Sequence, residues 1–169
     1  YLNEQHRQAA GDTLLDLLGA MRRGDVNEFH ELALRERMNR SIQDVQAVTR
    51  LYAHNVDVDT INHRHLQAIQ QPARRYTMEA KGAAAKRAQL MKSVLAPEVL
   101  ELKKGAEVMF VANSQKGKFV NGTRGVVVDF VNGAPLVVTT GGREVLVELH
   151  SWSLEEDGRV KAEVAQLPL

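Results

Sequence analysis

A chain of 169 residues is long enough for one medium domain or two small units with real cores, and two small units are expected here. Its 44% apolar and 25% charged content is ordinary for a soluble globular protein and suggests neither disorder nor membrane residence, and no apolar run approaches a membrane span. The lack of cysteine excludes disulfides and thiolate metal sites, and with no secretory signal in view a cytoplasmic protein is expected. The formal net charge of +1 hides an uneven distribution. Between Arg74 and Lys92 the cations are opposed by Glu79 alone, and between Lys103 and Arg124 by Glu107 alone, whereas Glu144 to Glu163 leans acidic. A basic middle fits a surface that meets a polyanion, and a solvated helix face accounts for part of it equally well.

The first half reads as helices with one clear strand. Asp12 is an expected N-cap for a helix carrying Leu14, Leu15, Leu18 and Met21, with Gly24 as its C-terminal stop. Asn27 is expected to cap a second helix through Phe29, Leu32, Ala33 and Met38. The run Thr49 to Ala53 suits a buried strand, followed by a helix capped by Asp57 that presents Val58, Ile61, Leu66 and Ile69 on one face and closes at Pro72. Arg75 to Glu79 reads as a further short strand, and Ala83 to Leu95 as a helix ending before Ala96-Pro97.

From Val99 the character changes to short β-rich runs: Val99 to Leu102, Glu107 to Val111, Thr123 to Phe130, Leu136 to Thr140 and Glu144 to Leu149. Turn signals at Lys104-Gly105, Asn132-Gly133 and Gly141-Gly142 separate them. The expected architecture is an α/β part over residues 1–97 and a small β-barrel over 98–169. Within the latter, Gly105 to Val128 reads as a tight hairpin. Val108, Phe110 and Val120 alternate, Asn121-Gly122 reverses the chain, and Asn113 to Lys118 form a polar, basic loop. Such a loop is either a solvated hairpin end or a surface for a partner.

Chemistry-bearing patterns are few. His63 and His65 lie two apart on an expected helix, so their side chains diverge by about 200° and do not share an ion. There is no HExxH and no GxSxG elbow, and Gly117-Lys118 lacks the upstream glycine and following hydroxyl of a P-loop. Arg7, in YLNEQHRQ at residues 1–8, reads in isolation as a surface or ion-pair residue.

Three strings in order carry a resemblance: YLNEQHRQ at 1–8, LYAHNVDVDTIN at 51–62, and LELKKGAEVMFVANSQKGKFVNGTRGVVVDF at 100–130. Together they resemble the RecD-like and PIF-type superfamily 1 DNA helicases. In that family an L-x-x-x-x-R-Q segment is the fourth helicase motif, at the start of the second RecA-like domain. A later L-K-x-G-A-x-V-M, then Asn, then V-N-G-x-x-G, opens an inserted β-barrel of the Src-homology-3 type. The resemblance spans Tyr1 to about Phe130, and Gln166-Leu167-Pro168-Leu169 looks like the run that leads out of the barrel.

The resemblance implies a partial second RecA-like motor domain, mostly helical, plus its barrel. The first RecA-like domain, with its P-loop and Mg²⁺-binding acids, would belong to the same parent chain. The start at Tyr1 rather than Met is consistent with a piece of a longer protein. ATP and Mg²⁺ are thus expected in the parent and neither on this piece alone. Arg7 would reach the γ-phosphate of ATP across the inter-domain cleft. Single-stranded DNA is the implied partner, met by His54 and Asn55 beyond the Leu51 to Ala53 strand and by Lys116, Lys118, Phe119 and Arg124 of the barrel. Phe119 is equally suited to the core, and His54 and Asn55 to capping. Two other classes share the barrel pattern: a non-motor nucleic-acid module of the ribosome- or transcription-associated type, and a protein-interaction barrel.

Overall fold

The structure, a computed structural model, describes residues 12–38 and 52–169, the side chains of residues 55–57 apart. Two compact units make up the chain, Tyr1–Leu51 and Tyr52–Leu169. Arg7 and the stretch Thr49 to Leu51 of the expected strand lie outside the described residues. Tyr52 and Ala53, which are described, are not in a strand.

In the first unit, helix α1 (Thr13–Arg23) starts and stops where its capping residues dictate. Asp12 Oδ1 accepts from the Leu14 amide at 2.8 Å, and Gly24 closes the helix at φ 77°. Its buried side chains are Leu17 and Ala20, whereas Leu14, Leu18 and Met21 of the expected apolar stripe are about half exposed. Helix α2 (Glu28–Arg37) opens with a reciprocal cap. Asn27 Oδ1 accepts from the His30 amide and the His30 ring accepts from the Asn27 amide.

The second unit begins with α3 (Asn55–Ala68), whose N-cap position is held by His54 rather than Asp57. The chain then forms β1 (Arg74–Thr77), β2 (Glu79–Gly82) and α4 (Ala84–Ser93). The single strand expected at Arg75 to Glu79 is therefore two. Met78 is buried at the break, and the strands on its two sides join different sheets. Seven more strands follow: β3 (Val99–Leu102), β4 (Glu107–Met109), β5 (Arg124–Val131), β6 (Ala134–Thr139), β7 (Glu144–Leu146), β8 (His150–Glu156) and β9 (Arg159–Gln166).

Among the described residues all the strand pairings are antiparallel, in three sheets: β1-β3, β2-β9-β8 and β4-β5-β6-β7. The small β-barrel expected over 98–169 is not confirmed, and no closed barrel is found among the described residues. Among the described residues no ladder joins β4 to β7, so the four-stranded sheet stays open. Strands β1 and β2, which precede Pro97, pair with β3 and β9, which follow it. Asn132-Gly133 joins β5 to β6 with both residues at positive φ, the geometry whose twist matches an antiparallel pair. Asp157-Gly158 does the same between β8 and β9, a hairpin the sequence reading does not include.

One core is built from inward positions of the open sheet, Phe110, Val127, Val137, Val145 and Val147, with Leu100 and Leu102 of β3 and the closing Leu167 and Leu169. The final residues are thus packed inside the unit, and the Pro168 carbonyl accepts from the Val111 amide at 3.0 Å. A second cluster of Met78, Leu90, Ala96, Ala162 and Val164 lies between α4 and the β2-β9-β8 sheet. Among the described residues no helix is long and apolar enough to cross a membrane.

Candidate nucleic-acid interface

The connection between β4 and β5 is longer and more built than a tight hairpin. Phe110 leaves β4 with its ring fully buried, and Phe119 stacks on it with centroids 3.8 Å apart and planes 20° from parallel. One face of Phe119 is therefore a core contact and the ring is half-buried. Between the two rings the loop is braced by its own polar groups. The Ser114 amide donates to the Phe119 carbonyl at 3.0 Å, the Gly117 amide to the Ser114 carbonyl at 3.1 Å and the Lys116 amide to Ser114 Oγ at 3.2 Å. Gly117 is at φ 65°, where a side chain would be strained. At the far end the Asn121 amide donates to Asn113 Oδ1 at 2.8 Å, and a turn from Val120 to Thr123 leads into β5.

Two residues outside the loop hold it. Arg143, in the β6–β7 turn, donates through Nη1 to the carbonyls of Gly117 and Lys118 at 3.2 and 3.1 Å. Lys116 Nζ donates to both carboxylate oxygens of Glu148, at 2.8 and 3.2 Å. That hydrogen bond, the Lys116 charge and the nearby Lys118 hold the Glu148 carboxyl below the usual carboxylate range. Ser114, Lys116, Lys118 and Phe119 share a small cleft of about 100 Å³ with Leu146, Glu148, Leu149 and His150. His150 is half-buried beside Trp152, with ring centroids 4.6 Å apart, and burial pushes its imidazole below the ordinary histidine value.

The structure thus brings Lys116, Lys118 and Phe119 together. Arg124 stands at the foot of the same loop, opposite Met109 in the β4–β5 ladder and partly exposed. His54 is not part of this cleft. His54 is exposed at the start of α3 and makes no side-chain capping hydrogen bond. Asn55 is the first residue of α3, and its side chain, like Arg7, lies outside the described residues. Arg143 and Glu148 are the residues the sequence reading missed, because each meets the loop across a long sequence separation.

Much of the remaining basic middle is engaged in pairs. Arg75 bonds Glu101 at 2.9 Å, Lys86 bonds Glu156, and Lys104 lies 3.9 Å from Asp129. Arg74 sits 4.7 Å above the Phe130 ring, and the buried Lys103 donates to the Ile69 carbonyl at 3.0 Å. These cations brace the sheets, and in the cleft at the β4–β5 loop Lys116 is paired in the same way, with Glu148.

Residues 88–130 match the family described as DNA helicase Pif1, 2B domain. The chain is 34% identical over 169 residues to the ATP-dependent DNA helicase Pif1 of Bdellovibrio bacteriovorus, covering 97% of this chain and 38% of that protein. It is also 34% identical over 169 residues to the protein of the same name from a Psychrobacter species, covering 96% of this chain and 24% of that protein. The chain therefore spans well under half the length of these relatives. Among solved structures, the Pif1 helicase of Candida albicans is similar at a TM-score of 0.64 and 31% identity, over 98% of this chain and 43% of that one. Unliganded Pif1 from a Bacteroides species shares the fold at a TM-score of 0.79 and 23% identity, over 98% of this chain and 39% of that one.

Proposed function

The chain corresponds to part of a PIF-type superfamily 1 DNA helicase, and from that premise we propose that its parent is an ATP-driven motor for which this part supplies a grip on single-stranded DNA. In this reading residues 1–97 belong to the second RecA-like domain and 98–169 form the inserted domain of the Src-homology-3 type. The observation that carries it is the match of nearly the whole chain, at 34% identity, to proteins named ATP-dependent DNA helicases. Solved Bacteroides Pif1 structures are described as in complex with ADP-AlF4 and as bound to ssDNA, which supports extending both ligands to the parent.

The sequence carries no P-loop string, since its Gly117-Lys118 pair lacks the upstream glycine and the following hydroxyl. ATP and Mg²⁺ would be held by the first RecA-like domain of the parent. Arg7 is this chain's contribution, a guanidinium that stabilises charge as it develops on the transferred phosphoryl group. Arg7→Ala in the parent should cut ATP turnover by about a thousandfold or more while leaving DNA affinity intact. Unchanged turnover would remove the assignment.

For the strand, Lys116, Lys118 and Arg124 would meet phosphates, with His54 and Asn55 as further polar contacts. A base would have to stack on the face of Phe119 turned away from Phe110. Three neutralised phosphates give log affinity against log salt a slope of about −2. Anisotropy of a fluorescein-labelled oligothymidylate across a salt series measures it. Replacing Lys116, Lys118 and Arg124 together by alanine should flatten the slope, whereas a salt-independent affinity in the unmodified chain would contradict the reading.

A further inference from the structure

The Lys116–Glu148 pair joins two backbones that are each fixed by other means. Glu148 follows Val147, whose side chain is fully buried and whose amide donates to the Pro135 carbonyl at 2.9 Å. Lys116 stands beside the loop carbonyls that Arg143 holds at 3.1 and 3.2 Å. Between them both carboxylate oxygens lie within hydrogen-bond distance of the one ammonium. A lysine ammonium has three donors in all, so a phosphate approaching Lys116 meets a group of its own charge already seated there.

We propose that Glu148 is an intramolecular competitor of the DNA phosphate for Lys116, a latch that holds the lysine in the free protein and yields it when a strand arrives. The inference rests on the reading of the β4–β5 loop as a grip on single-stranded nucleic acid. The two side chains are 63% and 60% exposed, so the pair is screened by water and opens at small cost. The latch therefore lowers affinity by a modest factor and does not block binding. It also favours multiply charged strands over isolated anions, because several phosphates together outcompete one carboxylate. Salt weakens the pair itself, so the effect of the latch shrinks as ionic strength rises.

The test is a double-mutant cycle in the full chain, read as affinity for fluorescein-labelled oligothymidylate at low salt. Glu148→Gln should bind about two- to fivefold tighter, in keeping with the strength of exposed ion pairs. Lys116→Gln should bind more weakly, and the double variant should bind like Lys116→Gln alone. Equal tightening by Glu148→Gln in both backgrounds would mean that only net charge matters and would overturn the latch. So would a neutral Glu148→Gln alongside a weakened Lys116→Gln, with the basic-loop reading left standing. If replacing the loop cations leaves binding unchanged, that reading fails and the latch fails with it.

Discussion

The side-chain amide of Gln166 donates to the Tyr76 carbonyl at 3.1 Å, joining the last strand to the first across ninety residues of sequence. The same nitrogen lies 3.1 Å from the Pro97 carbonyl and 3.4 Å from that of Glu98, while Gln166 Oε1 accepts from the Leu167 amide at 2.9 Å. The residue is fully buried. It ties β1 and the Pro97 segment to β9, adding a side-chain donor to carbonyls such as that of Glu98, which also accepts from the Met78 amide at 2.8 Å. Gln166→Leu would keep much of the volume and remove the buried side-chain bonds to Tyr76, Pro97, Glu98 and Leu167. The expected cost is about 2–3 kcal/mol, read as a lower urea midpoint at unchanged slope. A loss under about 0.5 kcal/mol would mean that water replaces the amide.

Gly82 and Gly142 separate two reasons for glycine. Gly82 lies in β2 at φ 107°, and a Cβ there would stand 2.4 Å from the Lys161 carbonyl oxygen and 2.9 Å from Ala162 Cα. Those atoms belong to the β9 backbone, which cannot give way without opening the β2–β9 ladder. Gly142, at φ 78° in the β6–β7 turn, has nothing within 4 Å of such a Cβ. Gly142→Ala should cost only the backbone strain, about 1 kcal/mol, whereas Gly82→Ala should cost about 3 kcal/mol or more. Equal losses in thermal or urea unfolding would show that the close approach at Gly82 relaxes freely.

Local signals were readable wherever one residue type decides a local geometry. Asp12 and Gly24 bound α1 as their chemistry requires, and Asn132-Gly133 marks its hairpin. Asp157-Gly158 carries the same turn signal, but the flanking HSWSLEE and RVKAEVAQ mix charged and polar residues with few apolar ones, so β8 and β9 do not stand out as strands. What periodicity does not encode is the partner: nothing in Glu79 to Gly82 names Ala162 to Ala165 as the strand beside it. The candidate site divides the same way. Lys116 and Lys118 stand out in the sequence, while Glu148 is found only through the pairing that folding creates. For Phe119, equally suited to a base or to the core, the ring contact with Phe110 supplies what alternation could not.

His150 and Glu148 make stability fall with acid in two windows. Burial lowers the His150 pKa, so the folded chain binds its proton less readily than the unfolded chain. Its contribution is complete above the unfolded histidine value of about 6.5 and is lost as pH falls through the lowered folded value. Glu148, held down first by the hydrogen bond from Lys116, acts the same way around the carboxylate range. Its contribution is complete above about 4.3 and drains as pH falls through the lowered value. His150→Asn should remove the upper window and keep the lower one, and Glu148→Gln should keep the upper and shrink the lower, to which Glu101, held down by the hydrogen bond from Arg75, also contributes. Urea midpoints measured from pH 8 to 3 test both. A His150 ring that titrates by NMR at or above 6.5 would contradict the first.

Arg143 should matter more to the loop than to the fold. It donates to the carbonyls of Gly117 and Lys118 from an exposed turn, where a hydrogen bond adds about 1 kcal/mol at most to global stability. Locally the bonds stop the loop tip from opening, since the loop's other bonds run within it, to Phe110 and Glu148, or at its base from Val111 to the Pro168 carbonyl. Arg143→Met keeps most of the aliphatic stem and removes the donors. Amide exchange at Lys116 and Gly117 should then quicken by about tenfold, while exchange at Val127, bonded to the Ala106 carbonyl at 2.9 Å, stays unchanged. If the basic loop grips DNA, its affinity should fall severalfold without loss of a phosphate contact, because a mobile loop must be ordered on binding. The salt slope separates the two effects. It holds if Arg143 only positions the lysines, and it becomes shallower by about 0.7 if the guanidinium itself meets a phosphate.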